Sequence, residues 1–400
     1  MSLPPVVALE IGTSKVLALV GELREDGHAI ITGMGEHPSV GVRKGEIIDL
    51  ANAIACVRST LAMAEESSKV VIRQVHLAVS GGHIQSLVSG GEVPIRNSTK
   101  EVTQDDIEQV IEVAKAVNLP ADREIVHSIR QHFRVDDQEK VLEPEGMEGA
   151  RLSLDMLVLH GIRTRMHNTI KVVKSVPMGV QDVAFSGLCS ALSVLTPEQK
   201  KSGAIMIDLG GGTTNYLVYE NEVVATAGAL GIGGDHITND IALAFNIPVS
   251  QAENLKRESG RAVADASAET GSVELPPEGG FSGRTVNLKS LCTVINLRTG
   301  EMFDIIRKRL EKENLLHHIG AGVVLTGGGA HLKGISRLAE KVFGFPCSIG
   351  LPRYVSGLTT ATGGPEYATC SGLVQFGFKV MIEEKRQRSV GGWLKELLWG

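Results

Sequence analysis

The sequence predicts a two-lobed α/β protein, because glycine-rich turns follow three of its buried strands. The first is VVALEIGTSK from Val6, and AIMIDLGGGTTN from Ala204 repeats its order of apolar strand, acidic residue, glycine turn and second β-rich segment. The third turn lies in VVLTGGGAHLKG from Val323. Since about two hundred residues separate the first two turns in a chain of 400, we expect each in its own lobe.

Composition and charge exclude several classes of protein. Hydrophobic residues make up 42% and charged residues 22%, as in ordinary globular proteins, and no window has the roughly 18 apolar residues of a membrane span. The N-terminus lacks a basic segment, so no signal peptide is predicted. Five scattered cysteines without a CxxC pair are typical of a reducing compartment such as the cytoplasm. A formal net charge of −6 gives no electrostatic reason to bind nucleic acid.

Lobe one is predicted to begin with a three-stranded meander, a helix over 50–67 and a buried strand from Val75. Between residues 83 and 165 the glycine-turn pattern stops, which predicts an inserted αβ module. Its helix begins at a capping-box-like Thr103, and its strands are EIVHSIRQHFRV and ARLSLDMLVLHGIR. A helix over 166–178 and the segment QDVAFSGLCSALSVL then return to the lobe-one core.

Lobe two is predicted to begin at about Thr196, and a helix over 234–245 follows its glycine turn. Residues 260–283 are rich in Ala, Ser, Gly and Pro and predict loops, whereas 287–314 predicts one or two helices. From residue 379 the chain becomes charged, then glycine-broken, then aromatic and amphipathic. This change predicts a tether that ends in an anchor.

Glycine turns from two lobes are suited to a polyphosphate, because glycine lets backbone N–H donors approach it closely. The candidate ligands of the nucleotide are Gly12, Thr13, Ser14, Lys15, Gly210, Gly211, Gly212, Thr213, Thr214, Gly327, Gly328 and Gly329. Glu10 and Asp208 end equivalent strands and are the candidate magnesium ligands, since magnesium keeps most of its waters and takes one or two carboxylates. Each turn alone is explained equally well as a tight hairpin, but three in this order favour a nucleotide site. The Walker A motif is absent.

The segment VVLTGGGAHLKG from Val323 has a strand, a glycine turn and a helix in that order. It resembles the adenosine-binding element of the actin, sugar-kinase and heat-shock-chaperone ATPase superfamily. Glu253 and Lys256 are three residues apart on one predicted helix face, with Arg257 beside them. By itself this spacing favours a solvated charged face. The resemblance favours contact with ribose and adenine, because ExxKR follows the second turn at the superfamily's distance. Gly234 completes the expected site.

Longer motifs make the chain similar to the FtsA family of bacterial actin-like proteins. They are LEIGTSKVLALVGE, EVTQDDIE, SVLTPEQKKSGAIMIDLGGGTTN, GGDHITNDIALAFNIPVSQAENLK and HHIGAGVVLTGGGAHLKG, and with the tail they cover nearly the whole chain. The resemblance implies an actin-like bilobed ATPase fold with four subdomains, in which lobe one carries an inserted FtsA-type module. The superfamily generally has Asp as the first acid, whereas this chain has Glu10, as some FtsA proteins do.

The resemblance also divides the chain. The expected parts are the lobe-one core 1A (1–82 and 166–195), the inserted module 1C (83–165), the lobe-two core 2A (196–235 and 315–378), subdomain 2B (236–314), a tether (379–389) and a membrane-targeting helix (390–400).

The resemblance implies a cell division protein that binds ATP and magnesium and is at most a slow ATPase. It implies polymerisation on the cytoplasmic face of the inner membrane at the septum, binding of the FtsZ C-terminal tail, and recruitment of other division proteins such as FtsN. The alternative is a PilM-like adaptor of a membrane assembly machine, which shares the body and the module. A sugar kinase needs an Asp general base, which we cannot assign, and a chaperone needs a further domain.

The expected FtsZ contacts are Arg298 and Glu301, which border an apolar stripe on the segment 298–312. The pattern alone is that of core packing beside solvated charges.

The end of the chain predicts a short amphipathic helix lying in the membrane surface. At 100° per residue, five apolar side chains fall within an arc of about 140°. The predicted membrane contacts are these five, Val390, Trp393, Leu394, Leu397 and Leu398, together with Trp399. The alternative, docking of this stripe on the protein's own body or on a partner helix, is disfavoured by Gly391-Gly392 and by the preceding charged run.

Overall fold

Two β-sheets whose five central strands have the same order form the centres of the two lobes. This computed structural model describes residues 3–264, 270–358 and 363–390. In each sheet, a hairpin and a third antiparallel strand lie on one side and two parallel strands on the other. The lobe-one strands are β1 (Val6–Ile11), β2 (Lys15–Leu23), β3 (Ala29–Pro38), β6 (Gln74–Val79) and β11 (Gly179–Phe185). Their lobe-two counterparts are β12 (Ala204–Leu209), β13 (Thr214–Glu220), β14 (Val223–Leu230), β17 (Val323–Thr326) and β18 (Cys347–Ile349). The predicted two-lobed α/β architecture is confirmed.

The first strand of each sheet is covered on both faces, which explains its continuous apolar sequence. In lobe one, helix α1 (Leu50–Ser68) covers one face through Val57 and Leu61. Its N-cap, Asp49, accepts a hydrogen bond from the backbone N–H of Asn52 at 3.1 Å. The helix predicted over 50–67 is confirmed to within one residue.

Two helices, α4 (Ser186–Val194) and α10 (Ala368–Val390), pack against each other between the two sheets. They cross closely at Gly372, where an added Cβ atom would lie 1.7 Å from the carbonyl oxygen of Cys189. One hydrophobic core therefore connects both lobes.

The C-terminal part of the chain departs from the expected boundaries. We expected residues 315–378 in lobe two, but β19 (Val355–Gly357) pairs in parallel with β3 of lobe one. Helix α10 then runs along β1, and its Gly377 packs against Val6. Residues 379–389, expected as a tether, continue α10 to Val390, because this stretch contains neither Gly nor Pro and its second residue, Val380, is buried.

The tail prediction falls beyond this helix. The backbone of Val390 ends α10, and its side chain is not described. Trp393, Leu394, Leu397, Leu398 and Trp399 lie outside the described residues. Within the described ranges, no helix combines the length and apolarity needed to cross a bilayer.

The inserted module has its own sheet and its own core. Its elements are β7 (Gln85–Pro94), α2 (Gln104–Lys115), β8 (Arg123–Val135), β9 (Gln138–Val141) and β10 (Arg151–Ile162), with strand order β7-β10-β8-β9. The capping box at Thr103 is confirmed, since its side chain and that of Asp106 each accept the other's backbone N–H. The module also contacts lobe two, where Gln131 Nε2 donates to the carbonyl oxygen of Val224 at 2.7 Å.

The subdomain that follows the second turn is mostly helical. It contains α6 (Gly234–Phe245), α7 (Val249–Ser259), a hairpin of β15 (Ser272–Leu275) and β16 (Arg284–Asn287), and α8 (Leu288–Lys312). The helix predicted over 234–245 is confirmed, and 287–314 forms one helix. The other elements are β4 (Val42–Arg43), β5 (Glu46–Ile47), α3 (Arg163–Lys174), α5 (Pro197–Ser202) and α9 (Ile335–Phe343).

Candidate nucleotide-binding site

The first two glycine turns have the same geometry. Gly12 N donates to the carbonyl oxygen of Lys15 at 3.0 Å, and Gly210 N donates to that of Thr213 at 2.9 Å. Each turn closes a hairpin, so the simple alternative describes the local structure correctly. A Cβ atom on Gly12 or on Gly210 would lie within 3 Å of the same acceptor oxygen, so both turns depend on glycine.

The two turns come from different lobes and meet. A Cβ atom on Gly211 would lie 3.2 Å from Ser14 Cβ, and one on Gly212 would lie 2.4 Å from Thr13 Oγ1. The backbone of lobe two therefore reaches the lobe-one turn only because these positions lack side chains. Ser80 adds a link between the lobes, since its Oγ donates to Asn215 Oδ1 at 2.7 Å.

Of the two acids that precede the turns, Asp208 is buried and Glu10 is half-buried. Asp208 Oδ2 accepts hydrogen bonds from Ser190 Oγ at 2.9 Å, Thr369 Oγ1 at 3.2 Å and Asn215 Nδ2 at 3.4 Å. Burial raises the pKa of Asp208, although these hydrogen bonds oppose the rise. Burial, and then the nearby charge of Asp208, raise the pKa of Glu10 to about 7.

This donor set fits a magnesium nucleotide. Two desolvated carboxylates beside each other repel, and a divalent cation held directly or through water relieves that repulsion. The glycine turns bring backbone of both lobes close together, since Gly211 and Gly212 pack directly on the first turn. Ser190 and Thr369 were not predicted from the sequence, because these hydroxyls lie on α4 and α10, far from any glycine motif.

Glu10 gives a pH prediction for the nucleotide-free protein. A raised pKa means that the folded state binds this proton more tightly than the unfolded state, so its contribution to stability is fully present below pH 4.5 and is lost as the pH rises through about 7. From these values the loss amounts to roughly 3 kcal/mol. Urea unfolding between pH 5 and 8 without magnesium should show that Glu10→Gln gains stability relative to the parent as the pH rises. Buried histidines titrate in both proteins, so parallel curves would contradict the prediction.

The predicted adenosine face packs against the start of α6. Lys256 Nζ lies 2.7 Å from Glu253 Oε2, 2.8 Å from Thr238 Oγ1 and 3.1 Å from the carbonyl oxygen of Gly234. Burial alone would raise the pKa of Glu253, but the hydrogen bonds from Lys256 and Thr238 outweigh it and lower that pKa. Gly234 N in turn donates to the carbonyl oxygen of Gly210 at 2.9 Å. The structure therefore places Glu253 and Lys256 beside the second turn. Arg257 is exposed, and its charge adds to the lowering of the Glu253 pKa.

The third turn packs directly on the second acid. Gly327 has a φ of +80°, and a Cβ atom there would lie 2.2 Å from Asp208 Oδ1. A Cβ atom on Gly329 would meet Leu209 Cβ at 2.7 Å, whereas Gly328 faces open space up to Glu366. The structure thus brings the third turn against Asp208, at the base of the second turn that the first turn meets.

The expected partner residues on α8 are engaged within the protein. Arg298 makes a two-pronged ion pair with Asp240 of α6, with Nε to Oδ2 at 2.6 Å and Nη2 to Oδ1 at 3.1 Å, and also contacts Glu301. Most of the apolar stripe, including Met302 and Ile306, is buried in the lobe-two core. The core-packing alternative therefore describes the stripe correctly.

Two leucines beside this ion pair are exposed. Leu243 of α6 is 72% exposed and Leu297 of α8 is 68% exposed. Leu243 follows Asp240 by three residues on the same helix, so both lie on one helix face. Leu297 directly precedes Arg298 on α8, so each exposed leucine lies within one helical turn of a member of this ion pair along its own helix.

Comparison with known proteins agrees with the predicted family. A family model described as "Cell division protein FtsA" matches residues 205–372, and one described as "SHS2 domain inserted in FTSA" matches residues 81–160. The cell division protein FtsA of Escherichia coli (strain K12) is 35% identical over 405 residues, which cover 98% of this chain and 96% of that protein. The FtsA protein of Pseudomonas aeruginosa is also 35% identical, over 94% of this chain and 89% of its own length.

Solved structures show the same fold at low sequence identity. The PilM-PilN type IV pilus biogenesis complex aligns with a TM-score of 0.64 at 16% identity and covers 93% of this chain and 98% of the matched chain. MreB5 of Spiroplasma citri bound to ADP aligns with a TM-score of 0.56 at 14% identity, covering 96% and 98%. These likenesses establish an actin-like fold, as predicted.

Proposed function

This chain belongs to the FtsA family of cell division proteins, and we propose that it is an ATP-binding, membrane-attached adaptor of the division machinery. In this proposal it polymerises on the cytoplasmic face of the inner membrane, binds the C-terminal tail of FtsZ and recruits later division proteins such as FtsN. The observation that carries the nucleotide part is the meeting of the Gly12–Lys15 and Gly210–Thr213 turns, each preceded by an acid whose pKa is raised mainly by burial.

The chain's own residues divide the tasks of nucleotide binding. The two turns hold the phosphates, Glu10 and Asp208 hold magnesium directly or through water, and Glu253 with Lys256 borders the nucleoside. Both lobes would contact one bound ATP molecule, and these contacts would favour the closed arrangement of the lobes. The related fold of Spiroplasma citri MreB5 has been solved with AMPPNP as well as with ADP, which supports nucleotide binding by this chain.

Polymerisation follows from the same proposal. Actin-like bodies associate head to tail through heterologous contacts, which extend into filaments when the rotation does not close. The inserted module is the expected contact to the second lobe of the next subunit. MamK, whose fold aligns with a TM-score of 0.52 at 10% identity, has been solved as a double helical filament.

A vesicle sedimentation experiment tests nucleotide, polymer and membrane together. The full chain is centrifuged with and without anionic vesicles, in Mg-ATP and in EDTA, and the pellets are examined by electron microscopy. We expect vesicle-bound filaments only with Mg-ATP. Filament-free, nucleotide-independent sedimentation would contradict the proposal.

For the FtsZ tail we propose the surface formed by Leu243, Leu297 and Arg298. Its exposed leucines offer apolar contacts, and Arg298 offers charge, although Asp240 and Glu301 partly neutralise it. Arg298→Glu would place three acids together, and we expect affinity for an FtsZ tail peptide to fall about tenfold, the effect of losing one charged contact.

Calorimetric titration with the peptide measures this change. Lys308→Glu is the matched control, because it makes the same charge change on the same helix, one residue beyond Arg307. Leu297→Ala tests the surface without breaking the ion pair. Unchanged affinity in both Arg298→Glu and Leu297→Ala would put the peptide site elsewhere.

A further inference from the structure

The hairpin of β4 and β5 reaches the junction of the two glycine turns from lobe one. Its two-residue turn consists of Lys44 and Gly45, both with positive φ, at 53° and 74°. Gly45 N donates to Thr13 Oγ1 of the first turn at 3.0 Å. A Cβ atom on Gly212 of the second turn would lie 2.8 Å from Lys44 N. The tip of this hairpin therefore touches both turns.

The side chain of Lys44 extends from this junction across to lobe two. Its Cδ lies 4.0 Å from the position that a Cβ atom on Gly231 would take. Burial, and then the positive charge of Lys44, lower the pKa of His236 in the first turn of α6, which agrees with this direction of the side chain. Lys44 is exposed, and in the described ranges no carboxylate forms an ion pair with it.

The other lysines around the site are already neutralised. Lys15 Nζ lies 2.9 Å from Glu36 Oε2 and 4.0 Å from the ring centre of Tyr367. Lys256 is paired with Glu253 at 2.7 Å. A polyphosphate that enters this cleft brings several negative charges, and a cation without an acidic partner offers it more net attraction than a paired one.

The position of Lys44 also indicates which phosphate it meets. The third turn, which marks the nucleoside end, contacts Asp208 and Leu209 at the base of the second turn. The Lys44 hairpin contacts Gly212 and Thr213 at the other end of that turn. We propose that Lys44 binds the terminal phosphate of the nucleotide and so makes the site prefer ATP over ADP. This inference rests on the proposed nucleotide site and adds to it a residue that discriminates between the two nucleotides.

Calorimetry on the full chain with Mg-ATP and with Mg-ADP tests the inference. Lys44→Ala should lower affinity for Mg-ATP about tenfold and leave affinity for Mg-ADP nearly unchanged, because only ATP carries the phosphate in question. Lys44→Arg should keep the preference for ATP. Arg43→Ala is the matched control, since it removes the same charge from the neighbouring position of the same hairpin, and it should behave as the parent.

The outcomes separate this inference from the nucleotide site itself. Equal losses for both nucleotides, or no loss with either, in Lys44→Ala would overturn the assignment of Lys44 while the site stands. Failure of the parent chain to bind either nucleotide would overturn the site and this inference together. Arg43 and Lys44 are exposed and the parent turn already has a non-glycine residue at position 44, so thermal unfolding of all three variants should match the parent.

Discussion

Asp208→Ala is expected to lower the affinity for Mg-ATP by about tenfold or more. The carboxylate is the more constrained of the two acids, because three hydrogen bonds hold its Oδ2. A charged contact of this kind contributes roughly 1.5–3 kcal/mol, which corresponds to at least a tenfold change in the dissociation constant. Calorimetry with Mg-ATP measures the change directly.

The controls for this prediction separate charge from structure. Asp208→Ala leaves the hydroxyls of Ser190 and Thr369 without their shared acceptor in a buried place, so thermal unfolding must be followed in parallel. Asp208→Asn keeps the side-chain volume and one acceptor oxygen for these hydrogen bonds while it removes the charge, and it should lose nearly as much affinity. Ser190→Ala removes one hydrogen bond and keeps the charge, so its loss should be smaller. Parent-like affinity in Asp208→Asn would mean that this acid does not face the nucleotide.

Local pattern was enough to predict much of this molecule. The helix over 50–68 follows from apolar spacing within the segment itself, and the equivalence of the two turns follows from strand, acid and glycine in fixed order. The same is true of the capping box at Thr103, which depends on residues three apart. Each of these features is determined by residues that are close together in the sequence.

What the sequence could not reveal depends on contacts between distant segments. Helix α10 returns to lobe one because Gly372 allows it to pack against the carbonyl oxygen of Cys189, far away in the sequence. The ion pair of Arg298 with Asp240 joins two helices. The spacing of apolar residues within each helix does not show that the two lie side by side. Lys44 was missed for the same reason, since its hairpin becomes part of the site only when the lobes meet.

The strongest expected effect outside the nucleotide site lies in the tail, where we propose the membrane anchor. Trp393→Glu puts a charge in the middle of the apolar stripe, which must enter the headgroup boundary for the helix to bind. We expect the variant to be released from anionic vesicles in sedimentation while its affinity for Mg-ATP stays at the parent value. Gln387→Glu makes the same change in net charge ahead of the stripe and should leave most of the protein bound.

The physical reason for so large an effect is that one short helix binds a membrane only weakly. From Lys379 onward there are five basic and three acidic residues, so attraction to anionic lipid adds only a net charge of +2. Stable attachment then depends on many tails joined in one polymer, and a loss in each tail multiplies along the filament. Trp393→Glu should therefore cause a large loss of vesicle binding in Mg-ATP, which supports filaments, and a small loss without Mg-ATP. Retention of Trp393→Glu on vesicles under filament-forming conditions would show that another surface of the protein holds the membrane.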